Sequence, residues 1–309
     1  MKNFILALSL TLAIGTVFTL NSCKKTSTAD DSLSAKDNNS INNAVNATTD
    51  DATSVAGQAN ISGKTDGLWQ VLCGSTIVDS VNTGAGWKYT ITYDGSSICN
   101  GVKRSGSVTV QLSPTTTHWK DAGAQIIVTI NNLVITDPVT NESYTINGTH
   151  TITNETGGLA WRVAVGLDQT TVTHRNISTN MTITFSDGSQ RTWNVDRTRS
   201  WSGAGGVITV SIYTENSTGE DTWGTNRYGT SFTNSITQTI SANNNSCAGK
   251  PYRPYTGTMV HKVANRTVTV LFGTNSSGTQ IGTATTCGDG FYVTYQKNTR
   301  TAYVFVPYW

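Results

Sequence analysis

The chain has 309 residues, 29 of them Gly and 5 Pro, and only 13% are charged. That share is about half of what a soluble domain usually carries, and Thr, Ser and Asn take the place of the missing charges. The net charge of +2 is scattered, which argues against the basic stripe of a nucleic-acid binder, so no nucleic-acid partner is expected. Thr-rich composition suits strands with one wet face, because Thr combines β-branching with a hydroxyl.

Residues 1–22 read as a lipoprotein signal peptide. Lys2 gives a positive start, Phe4 to Leu20 is an apolar run, and Leu20-Asn21-Ser22-Cys23 resembles a bacterial lipobox. Leu stands three positions before the Cys and a small residue directly before it; Asn21 departs from the usual small or aliphatic residue. In that reading Cys23 is diacylated, with chains such as palmitate, and becomes the N-terminus. The alternatives are an ordinary secretory signal or a retained anchor helix. The apolar run is short for a membrane span and ends at a Cys in the right place. The expected localisation is the outer membrane, lipid-anchored at Cys23, with the periplasmic or cell-surface face left open.

Residues 23–60 are expected to be a disordered tether. Asp30-Asp31 and Asp50-Asp51 stand among many Ser, Thr, Asn and Ala, with no aromatic residue. So little apolar surface does not offset the entropy of ordering.

Residues 61–309 form the expected body: all-β, built from consecutive antiparallel hairpins in a curved sheet or sandwich, with a split into two subdomains near 241–257 considered. Trp87, Tyr89, Ile91 and Tyr93 alternate with Lys88, Thr90 and Thr92, and Asp94-Gly95 supplies a turn. Further strands are expected over Ser107–Leu112, Ile126–Ile135 and Tyr144–Thr153, where Asn147-Gly148 marks a turn or a bulge. Thr171–Phe185, Gln190–Trp201 and Val207–Tyr213 follow. Then come a polar turn over Glu215–Asp221 and strands over Tyr228–Ile240, Thr258–Val263, Arg266–Phe272, Phe291–Tyr295 and Thr301–Val306. A weak repeat relates Asn141-Glu142-Ser143-Tyr144 to Asn226-Arg227-Tyr228. No sustained helical period is read after the leader.

With Cys23 assigned to lipid, Cys73, Cys99, Cys247 and Cys287 allow three pairings in an oxidising compartment. Cys73 with Cys99 and Cys247 with Cys287 is favoured, since each pair brackets neighbouring hairpins. A zinc site is the alternative, but no C-x-x-C spacing occurs and no His lies close in sequence to a Cys. The four histidines, His118, His150, His174 and His261, fall in different hairpins without metal-ligand spacing. They are read as solvated or packed across strands, and no cofactor or metal is expected. Asp94, Asp137, Asp187 and Asp289 are explained by turn formation. Glu142, Glu155, Glu215 and Glu220 all fall in expected turns, so no carboxylate pair is nominated for glycoside hydrolysis and no enzyme is expected.

Arg191 to Trp201 is the candidate binding stretch. Period two places Arg191, Trp193, Val195, Arg197, Arg199 and Trp201 on one face. Guanidinium beside indole suits an anionic or sugar ligand, with Trp as a flat platform and Arg as a fork of donors. The same pattern arises when Trp193 and Trp201 pack beneath neighbouring strands and the Arg stems cover them. Trp119, Trp161 and Trp223 lie beside turns, where they suit either a glycan-binding rim or turn plugs.

The ordering resembles a family of uncharacterised Thr-rich β-fold lipoproteins of Bacteroidota. The matching residues are Ser22-Cys23-Lys24-Lys25, the run Cys99 to Gly106, Thr182 to Gly188, Arg197 to Trp201, and Cys247 with Cys287-Gly288-Asp289-Gly290. The resemblance implies a cell-envelope lipoprotein of β fold and implies no activity. The expectation is a non-catalytic lipoprotein that binds a glycan or an envelope protein partner. The alternatives are a structural component of the outer membrane, or a hydrolase whose site assembles across strands.

Overall fold

The computed structural model of the chain describes residues 29–62, 72–82, 87–99, 101–113, 118–163, 166–167, 170–247 and 253–308. The expected signal peptide and Cys23 lie outside the described residues.

The fold is all-β. Among the described residues fourteen strands form one antiparallel sheet. In chain order they are β1 (Ser75–Asn82), β2 (Trp87–Cys99), β3 (Val102–Leu112), β4 (Ala124–Thr136), β5 (Ser143–Asn154), β6 (Thr171–Phe185) and β7 (Gln190–Ala204). There follow β8 (Val207–Tyr213), β9 (Glu220–Thr225), β10 (Ser231–Asn243), β11 (Pro254–Val263), β12 (Arg266–Thr274), β13 (Gly290–Lys297) and β14 (Arg300–Pro307). A four-residue helix, α2 (Ala160–Val163), interrupts the β5–β6 connection. Each strand pairs with its sequence neighbour except around β8 and β9, which both lie between β7 and β10. β9 pairs with Thr192–Val195 of β7, and β8 with Thr198–Ala204. Strand β9 begins inside the stretch read as a polar turn, whose Asp221 is fully buried.

The sheet curls because a line of bulges crosses it. Register shifts fall between Ser105 and Ser107, Ile130 and Leu133, Asn147 and His150, and Ser178 and Met181. At each shift a residue takes positive φ: Gly106, Asn132, Gly148 and Asn180. The amide side chain of the next strand braces two of them. Asn147 Oδ1 accepts the Asn132 N–H at 2.8 Å, and Asn194 Oδ1 accepts the Asn180 N–H at 2.7 Å. A bulge adds a residue to one strand and bends it, so bulges in successive strands curve the whole sheet. Asn147-Gly148 is therefore a bulge rather than a turn.

The tether expectation is overturned over most of its length. Residues 29–62 form one helix, α1 (Ala29–Ser62), of 34 residues. Asn, Asp and Thr are weak helix formers. The helix is instead held by the sheet that wraps it. Ile41, Val45, Ala52 and Val55 recur at helical spacing, are at most 2% exposed, and join a core built from β2 to β7. Ile91, Val108, Ile126, Ile130, Ile146 and Met181 supply the sheet side of that core. Burial of such side chains contributes on the order of 1.5–3 kcal/mol each.

A second core gathers Ile208, Val210, Ile212, Ile240, Val268, Phe272, Phe291 and Val293 from β8, β10, β12 and β13. Strand β10 serves both cores, with Phe232 in the first and Ile240 in the second. A division near 241–257 is therefore not seen: the two halves share β7 and β10. Two disulfides join Cys73 to Cys99 and Cys247 to Cys287, the favoured pairing.

Candidate functional site

The polar groups of the molecule converge on α1. Its amides repeat every fourth residue and meet the arginines of β7. Asn38 Oδ1 accepts from Arg191 at 3.2 Å, while Asn42 and Asn46 accept from Arg197 at 3.1 Å each. Farther along, Asp50 accepts from Arg199 at 2.7 Å, and Asp51 accepts from Arg104 at 2.8 Å and from the Tyr93 hydroxyl at 2.7 Å. At the start of the helix Asp37 takes both arms of Arg227, at 2.7 and 2.9 Å. Arg197 also forks onto the fully buried Asp221 of β9.

Burial governs the titration of these groups. It raises the Asp37 carboxyl, against the pull of Arg227, and raises that of Asp51, against Arg104 and Tyr93. Burial works against the Arg104 charge, but Asp51 and Tyr93 more than offset it. Arg191 is pushed down to about 10 by burial and lies 4.3 Å from the Phe232 ring.

Three histidines share this interior. Burial lowers His150 to about 4, and lowers His261 to about 4 with help from Arg191. Burial and then Arg199 lower His174 to about 3. His261 fits a neutral ring: Nδ1 donates to Asn234 Oδ1 at 2.8 Å, and Nε2 accepts from the Ser34 hydroxyl at 3.4 Å. His174 lies between Trp119 and Trp201, with ring centroids 4.9 and 4.7 Å away. His118 is exposed beside Asp121.

Between α1 and the second core lies a cleft with a cavity of about 40 Å³. That is room for about two or three waters. One wall is amide, from Asn39, Asn42, Asn43 and Asn46, with Arg197 and Asp221 at its floor. The other is apolar, from Ile212, Ile236, Ile240, Pro254 and Met259.

The expected binding face of β7 is therefore corrected. Arg191, Trp193, Arg197 and Arg199 do share a face, but it is the inner one, and each is at most 5% exposed. Trp193 packs in the first core and Trp201 is partly buried against the second. Their face grips α1 and is not a surface platform. Trp119 is buried too, while Trp161 is 45% exposed. The residues missed by sequence reasoning are those of α1 and Asp221. Of these, only the spacing of Ile41, Val45, Ala52 and Val55 offers a signal in the sequence, and it is too sparse to read as a sustained helical period.

Among the described residues no group of three or more His, Cys, Asp or Glu side chains could hold a metal ion. No helix among them is long and apolar enough to cross a membrane. Comparison with family models, curated proteins and solved structures gives no match.

Proposed function

We propose that the protein is a non-catalytic cell-envelope lipoprotein, anchored in the outer membrane by lipid on Cys23, whose β body binds a glycan. The observation that supports this reading is the mouth of the cleft beside α1, where amides face an apolar wall; its cavity admits only a few waters, so a glycan would rest across the mouth rather than enter. At that mouth the half-buried Ile236 and Met259 would meet the C–H face of a sugar, and the half-buried Asn39 and Asn43 its hydroxyls. The buried histidines and carboxylates hold α1 in place, which supports a binding role over catalysis.

Thermal unfolding of the mature protein in detergent, against a panel of envelope and dietary polysaccharides, tests it. Ligand at a hundred times its Kd adds about 2.7 kcal/mol, enough to raise Tm by several degrees. One polysaccharide should give this shift, and Asn39→Leu should abolish it. No shift across the panel contradicts glycan binding.

The second reading is a protein partner. Among the described residues β14 pairs with one strand alone, β13, and its Tyr303 is 60% exposed. An edge of this kind accepts an added strand.

A further inference from the structure

Three turns meet the first third of α1, at Lys36 and Asp37. They join β4 to β5 (137–142), β6 to β7 (186–189) and β9 to β10 (226–230). Lys36 of the helix reaches Glu142 at 3.4 Å. Arg227 pairs with Asp37 and lies 3.6 Å from Asp187, which ties the second and third turns to the helix. Its guanidinium also sits 3.6 Å from the centre of the Phe185 ring.

Two of these turns are built alike. Asp137 Oδ1 accepts the N–H groups of Val139 and Thr140, and Asn226 Oδ1 accepts those of Tyr228 and Thr230. Each cap fixes the backbone two residues on. At that position each turn holds a large apolar side chain outward: Val139 is 87% exposed and Tyr228 is 51% exposed. Lys36 pairs with Glu142, Arg227 is shared by Asp37 and Asp187, and the Asp137 carboxylate is held by the backbone N–H groups of its own turn.

We infer that this rim, with Val139 and Tyr228 at its tips, rests on the surface of the lipid bilayer. The inference rests on the reading of Cys23 as the lipidated residue. Chain length then decides which end faces the membrane. Ala29 lies six positions after Cys23, so the link spans at most about 20 Å. Helix α1 runs about 50 Å from its first residue to its last. Its start is therefore the membrane end, and its far end, where the side chains of Leu159 and Trp119 fill the space a Cβ on Gly57 would enter, points away. Tyr suits the headgroup level, having an apolar ring and a polar tip. The lipid supplies the attachment and the rim sets the orientation of the body.

The test uses the full mature protein with its disulfides intact, in vesicles of phosphatidylethanolamine and phosphatidylglycerol. An environment-sensitive fluorophore is placed at Val139→Cys or, as the far-end control, at Leu167→Cys, where the native side chain is 62% exposed. Relative to detergent-free Cys23→Ser protein bearing the same label, the expected result is a blue shift and loss of aqueous quenching at position 139 alone. No change at 139 while the protein floats with the vesicles overturns the rim and leaves the anchor standing. A shift at 167 instead also overturns it. If the wild type carries no acyl mass on Cys23 and does not float, the anchor reading fails and the rim inference falls with it.

Discussion

Asp51→Ala should destabilise the body by about 3–5 kcal/mol, the usual cost of removing one member of a buried ion pair. Asp51 and Arg104 have side chains only 8% and 5% exposed. The carboxylate also accepts the hydroxyl of Tyr93, which is 3% exposed. Its removal strands a guanidinium and a phenol in the first core at once. The guanidinium lies 4.4 Å from the centre of the Tyr93 ring and cannot swing into water without leaving that contact. Urea unfolding checks the result: the midpoint should fall while the slope stays the same. Arg104→Met combined with Asp51→Leu should recover much of the loss, since an apolar pair leaves no charge unmatched. A single-variant loss below about 1 kcal/mol, typical of a surface pair, would mean that α1 is not enclosed as described.

Acid should weaken the fold well above the ordinary carboxylate range. His150, His174 and His261 have folded pKa values of about 4, 3 and 4. In the unfolded chain they titrate near 6.5. Below that value the unfolded state binds protons that the folded state refuses, so stability falls with pH. The window runs from about 6.5 down to about 4 for His150 and His261 and to about 3 for His174, and at pH 5 each histidine costs about 2 kcal/mol. The surroundings do not relieve this. His174 faces Arg199, Trp119 and Trp201; His261 faces Arg191, Asn234, Ser34 and Phe232; His150 faces Thr49. Asp37 and Asp51 act in the opposite sense, because their raised pKa values let the folded state take up protons first. They offset part of the loss at the lower end of the window. Denaturant midpoints measured between pH 7 and pH 4.5 should fall steadily, and His174→Phe should flatten the slope. A midpoint constant down to pH 5 would contradict burial of the three rings.

The strands were legible because alternation is local: Tyr89, Ile91 and Tyr93 point inward in the sheet as their spacing requires. The aspartates at Asp137 and Asp187 were legible for the same reason, and each accepts backbone N–H groups of the turn it opens; Asp94-Gly95, expected to be a turn, lies instead inside β2 at a register shift, where Asp94 accepts the N–H groups of Ser96 and Ser97. The cysteine pairing followed from neighbouring hairpins. Period two also placed Arg191 to Trp201 on one face, but alternation cannot say which face of a sheet is inside. Nothing near Arg197 in sequence announces Asp221, which reaches it from a separate strand.

Helix α1 was hidden by its composition. Its amides and carboxylates read as solvated linker because their partners, Arg104, Arg191, Arg197, Arg199 and Arg227, are 53 to 190 residues away in the chain. The bulge at Gly148 was visible as Asn-Gly. Those at Asn132 and Asn180 look like ordinary strand residues until φ is known.

Hydrogen exchange along α1 in the intact mature protein tests the central claim most directly. A helix enclosed by the sheet opens only when the sheet does, so its amides should be as slow as those of the strands around it. The amides from Ile41 to Val55 are predicted to exchange at the rate of those in β4 and β5. Exchange as fast as in an unstructured polar linker, with β4 and β5 still protected, would contradict the account.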